Sequence, residues 1–322
     1  PPYRAPKITE GIVLGRLKFA VVDPRFSKTA ARSWKWLPAK PGSEGALALG
    51  MIRWVLENNR YHKGYLENAN KAAAKEDKEP NWSNASWLVK IKDGHPAEFL
   101  HASDLGLAKE ERTATIKKKD GEETVTYEFD PFVAMREGTI VTLDPEDDKN
   151  VVQGDLLVNT TLTSAEGKSI AVKSVLQLLL EEAQKYTISE WAKICDVAAS
   201  DIEELAKEFT SYGRQACADV HRGCSQHSNG FYNIFAWYTL CLLIGNFDWQ
   251  GGLAQASTYD ILGEKAKGPF DFSTLHPKKM KPFGINILRY AKYEETTLFS
   301  GYPAKRPWHT FATDVYQELL PS

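Results

Sequence analysis

The sequence is poor in the residues that make covalent or metal staples. It has four cysteines in 322 residues, Cys195, Cys217, Cys224 and Cys241. None stand in Cys-x-x-Cys spacing, so no zinc or iron–sulfur motif is present, and a disulfide framework is not expected of a chain this long. The four thiols read as small buried hydrophobes. Charge of one sign is also lacking. Forty Lys and Arg face 42 Asp and Glu, a net charge of −2, which argues against a broadly basic surface and hence against nucleic acid as a partner. No apolar run approaches the roughly 18–20 residues of a bilayer span; the longest candidate, Ile234–Ile244, falls well short and is amphipathic. The opening PPYRAPKITEG has no charged stretch leading into an apolar one, as a secretory signal would. There is no G-x-G-x-x-G, Walker loop, H-E-x-x-H or G-x-S-x-G.

What is present is an alternation of strands and helices. Phe19-Ala20-Val21-Val22 is a short continuous apolar run of the kind a parallel strand covered on both faces shows, stopped by Asp23-Pro24. Pro41-Gly42 makes a turn, Ser43 is placed to cap, and a helix is expected over Ala46–Asn58 with Leu47, Met51, Trp54 and Val55 inward. From about residue 71 to 169 the character changes to charged loops and short strands. Asp120-Gly121 suits a two-residue hairpin turn, which sets Lys119 opposite Glu122, Lys118 opposite Glu123 and Ile116 opposite Val125. The helical pattern returns near Val172. Thr187-x-x-Glu190 and Ser200-x-x-Glu203 read as capping boxes, and the second helix turns Ile202, Leu205, Ala206 and Phe209 inward and stops at Gly213. Gln215–Val220 reads as the next strand, followed by a glycine-fenced loop and a helix over about 231–244. Its core stripe is expected to be Ile234, Phe235, Tyr238 and Leu242. The expected fold class is α/β: a Rossmann-like parallel sheet flanked by helices. Residues 1–222 form that domain, with a small β-rich insertion at about 71–169, and 223–322 begin an adjacent α/β domain.

Three places carry candidate chemistry, each with a plainer reading beside it. Asp23-Pro24-Arg25 sits at the carboxyl end of a strand, where ligands bind in open α/β sheets. Asp23 can accept from the N1–H and amino edge of a guanine, and Arg25 can pair with phosphate; the plain reading is a turn with a surface ion pair. Gly42-Ser43-Glu44 precedes a helix, where backbone N–H groups can approach an anion. Glu44 would repel phosphate but can read a guanine edge, or can simply favour the helix dipole. The loop Gly223-Cys224-Ser225-Gln226-His227-Ser228-Asn229-Gly230 holds hydroxyls, amides and one imidazole, which suit a heteroatom-rich ligand. His227 taken alone is an ordinary structural histidine. No metal ligand set is read from the chain.

Taken in this order, VVDPRFSKTAARSWKWLPAKPGSEGALALGMIRWVLENN, then HRGCSQHSNG and LLIGNFDWQGG, resemble the molybdopterin oxidoreductases of the dimethyl-sulfoxide-reductase family. The likeness is strong over about 17–65 and 187–253, and within the family it is nearest to the tetrathionate-reductase branch, which the segment ASWLVKIKDGHPAEFLHASDLGL supports. The resemblance implies a large catalytic subunit carrying molybdenum on two molybdopterin guanine dinucleotides. It implies that Asp23, Arg25, Gly42, Ser43 and Glu44 hold a guanosine end, with Glu44 standing where Asp is common. It also implies that Gly223, Gln226, His227 and Gly230 lie near the pterin and the metal, with His227 and Arg222 stabilising charge on the substrate. The implied reaction is two-electron cleavage of tetrathionate to thiosulfate, with thiosulfate, polysulfide and arsenate reduction as alternatives.

Implied partners are an iron–sulfur electron-transfer subunit, a membrane quinol-oxidising subunit and a small sulfur oxyanion. The implied location is periplasmic, after twin-arginine export. Two features of the family are missing from the sequence: the closely spaced cysteines of its 4Fe-4S cluster, and an upstream Cys, Ser or selenocysteine for molybdenum. The chain therefore reads as an internal fragment, inactive alone, of a larger enzyme. Two further readings are a non-catalytic nucleotide-binding module and an interaction domain that works through the 71–169 insertion.

Overall fold

The computed structural model describes residues 5–118, 121–220 and 222–253. The chain divides into two compact units, Pro1–Gln255 and Ala256–Ser322; the described residues belong to the first, and most of the expected 223–322 domain lies outside them. A helix that the sequence reading did not foresee, α1 (Ala5–Val13), precedes strand β1 (Ala20–Val22), strand β2 (Lys35–Leu37) and helix α2 (Glu44–Glu57). Two short helices follow, α3 (Lys63–Glu67) and α4 (Lys71–Glu76). Next come eight strands: β3 (Leu88–Lys92), β4 (His95–Phe99), β5 (Glu110–Lys118), β6 (Gly121–Phe129), β7 (Phe132–Arg136), β8 (Thr139–Leu143), β9 (Asn159–Thr163) and β10 (Ser169–Ser174). Helices α5 (Val175–Gln184), α6 (Ile188–Cys195), α7 (Ala199–Ser211), the single turn α8 (Arg222–Ser225) and α9 (Gly230–Leu243) complete it.

The α/β class holds, in mixed form. Among the described residues the only parallel pairing between strands is β1 with β2, three residues each, so an extended Rossmann-like sheet is not what they show. The expected strand at 215–220 is a 3-10 turn followed by extended chain. Its polar groups turn to α9 and the loop after it: Asn246 donates to the carbonyl of Ala216, and Ala218 donates its N–H to Cys241 Sγ at 3.2 Å. Backbone satisfied in this way does not need a strand neighbour.

Helix α2 is the centre of the larger core. It is packed by α5, α6, α7 and α9, and Leu47, Met51, Ile52 and Val55 are fully buried while Trp54 packs at the margin. Such burial on several sides needs small residues at the crossings. A Cβ on Gly50 would stand 3.2 Å from Ile202 Cγ2 and 3.4 Å from Trp191 Cβ, so glycine sets how closely α6 and α7 approach. Ile202, Leu205 and Ala206 of α7 face inward and Phe209 packs against them. The Thr187–Glu190 capping box forms in both directions. The Ser200–Glu203 box does not: the helix starts two residues earlier, after Ala198, and leaves Ser200 inside it. Ser43 likewise precedes α2 without capping it, since its hydroxyl donates to the carbonyl of Lys40.

The 71–169 stretch folds into small antiparallel sheets, one of four strands in the order β4-β3-β10-β9 and the hairpins β5–β6 and β7–β8. These close on two clusters of their own, around Leu88, Leu100, Val133 and Val172 and around Trp87, Ala134 and Leu143. The β5–β6 hairpin forms two residues away from the expected register. Lys117 pairs with Glu122, Ile116 with Glu123 and Ala114 with Val125. Gly121 thus belongs to a strand, and residues 119–120 lie outside the described residues. A slip of two keeps each residue on its own face. Arg112 fixes the base of the hairpin by pairing with Glu110 and Asp144 and lying 3.7 Å over the Phe129 ring.

The stripe expected to bury α9 is the wrong one. Its buried face is Gly230, Asn233, Trp237, Leu240, Cys241 and Leu243, whereas Phe235 is 62% exposed and Ile234, Tyr238 and Leu242 are half-buried. A polar residue, Asn233, sets the rotation of the helix by facing α2, for the reason given below. Two expected outcomes test the core. Ile202→Ala should cost about 2–5 kcal/mol of stability by leaving a cavity, and Gly50→Ala about 1–3 kcal/mol by overpacking the same contact. Urea unfolding reads both, and an unchanged midpoint in either would contradict this packing.

Candidate functional site

Strands β1 and β2 run parallel, so their carboxyl ends open at one edge, and two of the three candidate stretches leave from there. Asp23 continues the ladder by donating its N–H to the Leu37 carbonyl at 3.2 Å. Its side chain then closes a turn, Oδ1 accepting from the N–H of Arg25 at 2.9 Å, while its carbonyl accepts from Trp36 Nε1 at 2.7 Å. Phe26 packs edge-on to Trp36, with centroids 4.9 Å apart. Asp23 is half-buried, and the Arg25 guanidinium is exposed.

From β2 the chain passes through Pro38 and Pro41 to Gly42, whose φ of +82° favours glycine, and enters α2. The third stretch lies directly upon this turn. A Cβ on Gly42 would stand 3.4 Å from His227 Nδ1 and 3.5 Å from Cγ, in ordinary contact, so the imidazole lies directly against this turn. Asn229 Nδ2 donates to the Gly42 carbonyl at 2.8 Å. Asn233 then bridges α9 to α2. Its Oδ1 accepts from the Gly45 N–H at 3.1 Å and its Nδ2 donates to Glu44 Oε2 at 3.1 Å. Both side chains of the bridge are buried, Glu44 at 7% exposure and Asn233 at 2%. The charge of Glu44 also reaches the Cys224 thiol, whose pKa is raised first by burial and then by that carboxylate.

The structure therefore joins the second and third stretches and places the first on the neighbouring strand end. Gly42, Ser43, Glu44, His227 and Gly230 belong to one cluster. Gly230 is required sterically, because a Cβ there would come within 2.2 Å of the Ser225 carbonyl oxygen. Arg222, Gly223 and Gln226 lie on the exposed outer side of the loop. Gly223 does not follow a strand as expected; it lies in the single turn of α8 with open space around it.

Sequence reasoning missed Asn233, and it named Asn229 only as one of the loop's amides, without its role. The signal was there: two asparagines at i and i+4, the second inside an otherwise apolar helix, where a polar residue has to be satisfied by a specific partner. The exposed side chains of the three stretches include the cations Arg25 and Arg222 and the imidazole of His227, with the half-buried Asp23 at the strand end, while the Glu44 carboxylate is buried. Such a set suits a ligand that carries both phosphate charge and a heteroatom edge. Two cavities lie elsewhere: one of about 540 Å³ is lined by Lys71, Lys75, Lys78, Trp82 and Trp249, and one of about 280 Å³ by Trp82, Tyr238 and Phe247. Among the described residues no three His, Cys, Asp or Glu come together as a metal set.

No family model matches the chain. It is 43% identical over 325 aligned positions to a selenate reductase polypeptide of Mesobacillus selenatarsenatis, which aligns with 100% of this chain and 29% of that protein. It is 35% identical to a tetrathionate reductase polypeptide of Salmonella typhimurium, over 95% of this chain and 28% of that protein. It is 30% identical to the corresponding tetrathionate reductase polypeptide of Archaeoglobus fulgidus, over 97% and 26%. The chain thus spans less than a third of the length of these relatives. The selenate reductase shares more identity than either tetrathionate reductase, so the comparisons do not single out the tetrathionate branch.

The two loop glycines give opposed expectations. Gly230→Ala should lower stability by about 1–3 kcal/mol, because loop and helix must move apart. Gly223→Ala should be neutral within about 0.5 kcal/mol. Urea titration of the two variants checks the pair, and equal effects would contradict the loop geometry.

Proposed function

The chain belongs to the molybdopterin oxidoreductases of the dimethyl-sulfoxide-reductase family, and from that premise we propose that it forms one wall of the dinucleotide cradle in the catalytic subunit of a molybdenum-dependent oxyanion reductase. The observation that supports this most is the convergence at one edge: the Asp23 and Gly42 turns leave adjacent parallel strand ends, and His227 lies on Gly42. The donor set fits a molybdopterin guanine dinucleotide in part. Asp23 is placed to accept from a guanine edge and Arg25 to pair with phosphate, with Gly42 and Ser43 at the turn beside them. Gly223, Gln226, His227 and Gly230 belong to the loop on the pterin side. Glu44 fits less well as a guanine contact, because its carboxylate is buried and already bonded to Asn233. On this reading Glu44 positions the loop and Asp23 reads the base. The short β1–β2 pair is then part of a larger parallel sheet in the whole enzyme.

When bound, the molybdenum centre supplies two-electron transfer. The chain's own residues bind and orient. Gly42 takes the positive φ that the turn under His227 needs, and Asn229 holds the loop in place by donating to the Gly42 carbonyl. On this proposal His227 and the exposed Arg222 stabilise negative charge on a small oxyanion of sulfur or selenium. The relatives' names favour selenate reduction to selenite or tetrathionate cleavage to thiosulfate. Two further subunits on the periplasmic side, one carrying iron–sulfur clusters and one oxidising membrane quinol, would deliver the electrons. A 4Fe-4S cluster in the catalytic polypeptide would be held by cysteines other than the four of this chain.

Calorimetric titration with GDP and ADP, as stand-ins for the nucleotide end, tests the cradle. GDP should bind more tightly, and Asp23→Ala should remove roughly tenfold of its affinity by deleting charge-assisted hydrogen bonds, leaving ADP unchanged. Equal affinity for the two nucleotides, or a preference that survives in Asp23→Ala, would contradict guanosine reading by Asp23. Oxidation of reduced viologen by the full-length enzyme, with selenate, tetrathionate and arsenate compared as acceptors, then fixes the substrate.

A further inference from the structure

Cys217 and Cys241 meet at the base of the His227 loop. Cys217 is exposed, on the extended chain before α8, and Cys241 is buried in the last turn of α9. The backbone next to Cys217 is laced to the Cys241 sulfur: the Ala218 N–H donates to Sγ at 3.2 Å, and Sγ in turn lies 3.7 Å from the Ala218 carbonyl. The Cys241 sulfur thus lies against the peptide unit that follows Cys217, which brings the two cysteines into one neighbourhood. The other two cysteines are placed differently, Cys195 buried in α6 against the Ala192 carbonyl and Cys224 half-buried beside Glu44.

We propose that Cys217 and Cys241 form a reversible disulfide by exchange with a low-molecular-weight disulfide, and that this bond closes a covalent ring around α8, the His227 turn and most of α9. The bond would tie the chain entering the loop to the far end of the helix on which the loop rests. This inference stands whether or not the loop holds a dinucleotide.

The chemistry is thiol–disulfide exchange. The Cys217 thiolate attacks one sulfur of the small disulfide RSSR. That S–S bond breaks, one RS⁻ leaves and takes up a proton, and a Cys217–S–S–R mixed disulfide remains. Cys241 gives its proton to solvent and attacks the Cys217 sulfur, which releases the second thiol. Two protein thiols are oxidised and one small disulfide is reduced to two RSH, so electrons and protons balance. The order follows from the two environments. Cys217 is exposed and meets the small disulfide first, whereas Cys241 is buried. The neighbouring Cys241 draws the Cys217 pKa below its ordinary value, and the same neighbour and then burial push the Cys241 pKa up.

The test is incubation of the chain with oxidised glutathione, then denaturing alkylation with iodoacetamide, digestion and mass spectrometry. The expected product is one Cys217–Cys241 linked peptide and an intact mass lower by two hydrogens, with Cys195 and Cys224 alkylated. Dithiothreitol should reverse it. Glutathione remaining on Cys217 of the unmutated chain, or a link through Cys224, would overturn the proposal. Cys217→Ser removes only an exposed thiol and should leave Cys241 free of glutathione; an adduct on Cys241 in that variant would overturn the order of attack. Cys241→Ala should trap the adduct on Cys217, and a Cys217 that stays unmodified there would also refute it.

Discussion

One buried carboxylate held by one buried amide organises this region. Glu44 begins α2 almost out of reach of solvent, and leaving a carboxylate there without a donor would be costly. Asn233 supplies the donor from α9 and takes the Gly45 N–H in return. The exchange satisfies a helix N-terminus that Ser43 leaves uncapped, since the serine hydroxyl is spent on Lys40. It also fixes the rotation of α9 and therefore which aromatic residues face outward. The His227 loop is the lead-in to that helix, so its seat on Gly42 is a consequence of the same contact.

The arrangement separates holding from binding. The inward groups, Glu44, Asn233 and the Gly45 N–H, are engaged with one another. Asp23 and Arg25 follow directly from the end of β1, His227 lies on the Gly42 turn, and Arg222 is exposed on the loop before it. A rigid inner bridge with its charged and hydrogen-bonding groups facing outward is what a preorganised site for a large polar ligand requires. The antiparallel sheets built from the 71–174 stretch keep separate apolar clusters around Leu88 and Trp87, so they add a compact attachment without entering this edge.

Much of this was legible in the sequence where local chemistry decides. The β1 run, its stop at Asp23-Pro24, the helix after Gly42 and the Thr187–Glu190 cap all follow from short-range rules, and the structure has them. The motif order of the three stretches gave the family, which the relatives bear out. What was not legible depends on partners distant in sequence. The α9 stripe was judged by apolarity, but a polar residue chose the face because its partner lies about 190 positions upstream. Gln215–Val220 has strand composition, yet its hydrogen bonds go to α9 and Asn246. The hairpin register depended on Arg112, Asp144 and Phe129 at its base, and the dipeptide at its tip did not decide it.

The most direct test is a double-mutant cycle on the bridge, Glu44→Ala, Asn233→Ala and both together, read by urea unfolding. Asn233→Ala alone leaves the buried carboxylate without this donor and should cost about 3 kcal/mol. The double variant should cost less than the sum of the singles by at least about 1 kcal/mol. Single effects that add within about 0.5 kcal/mol would show that the two residues do not act on each other, and the account of what places α9 and its loop would fail.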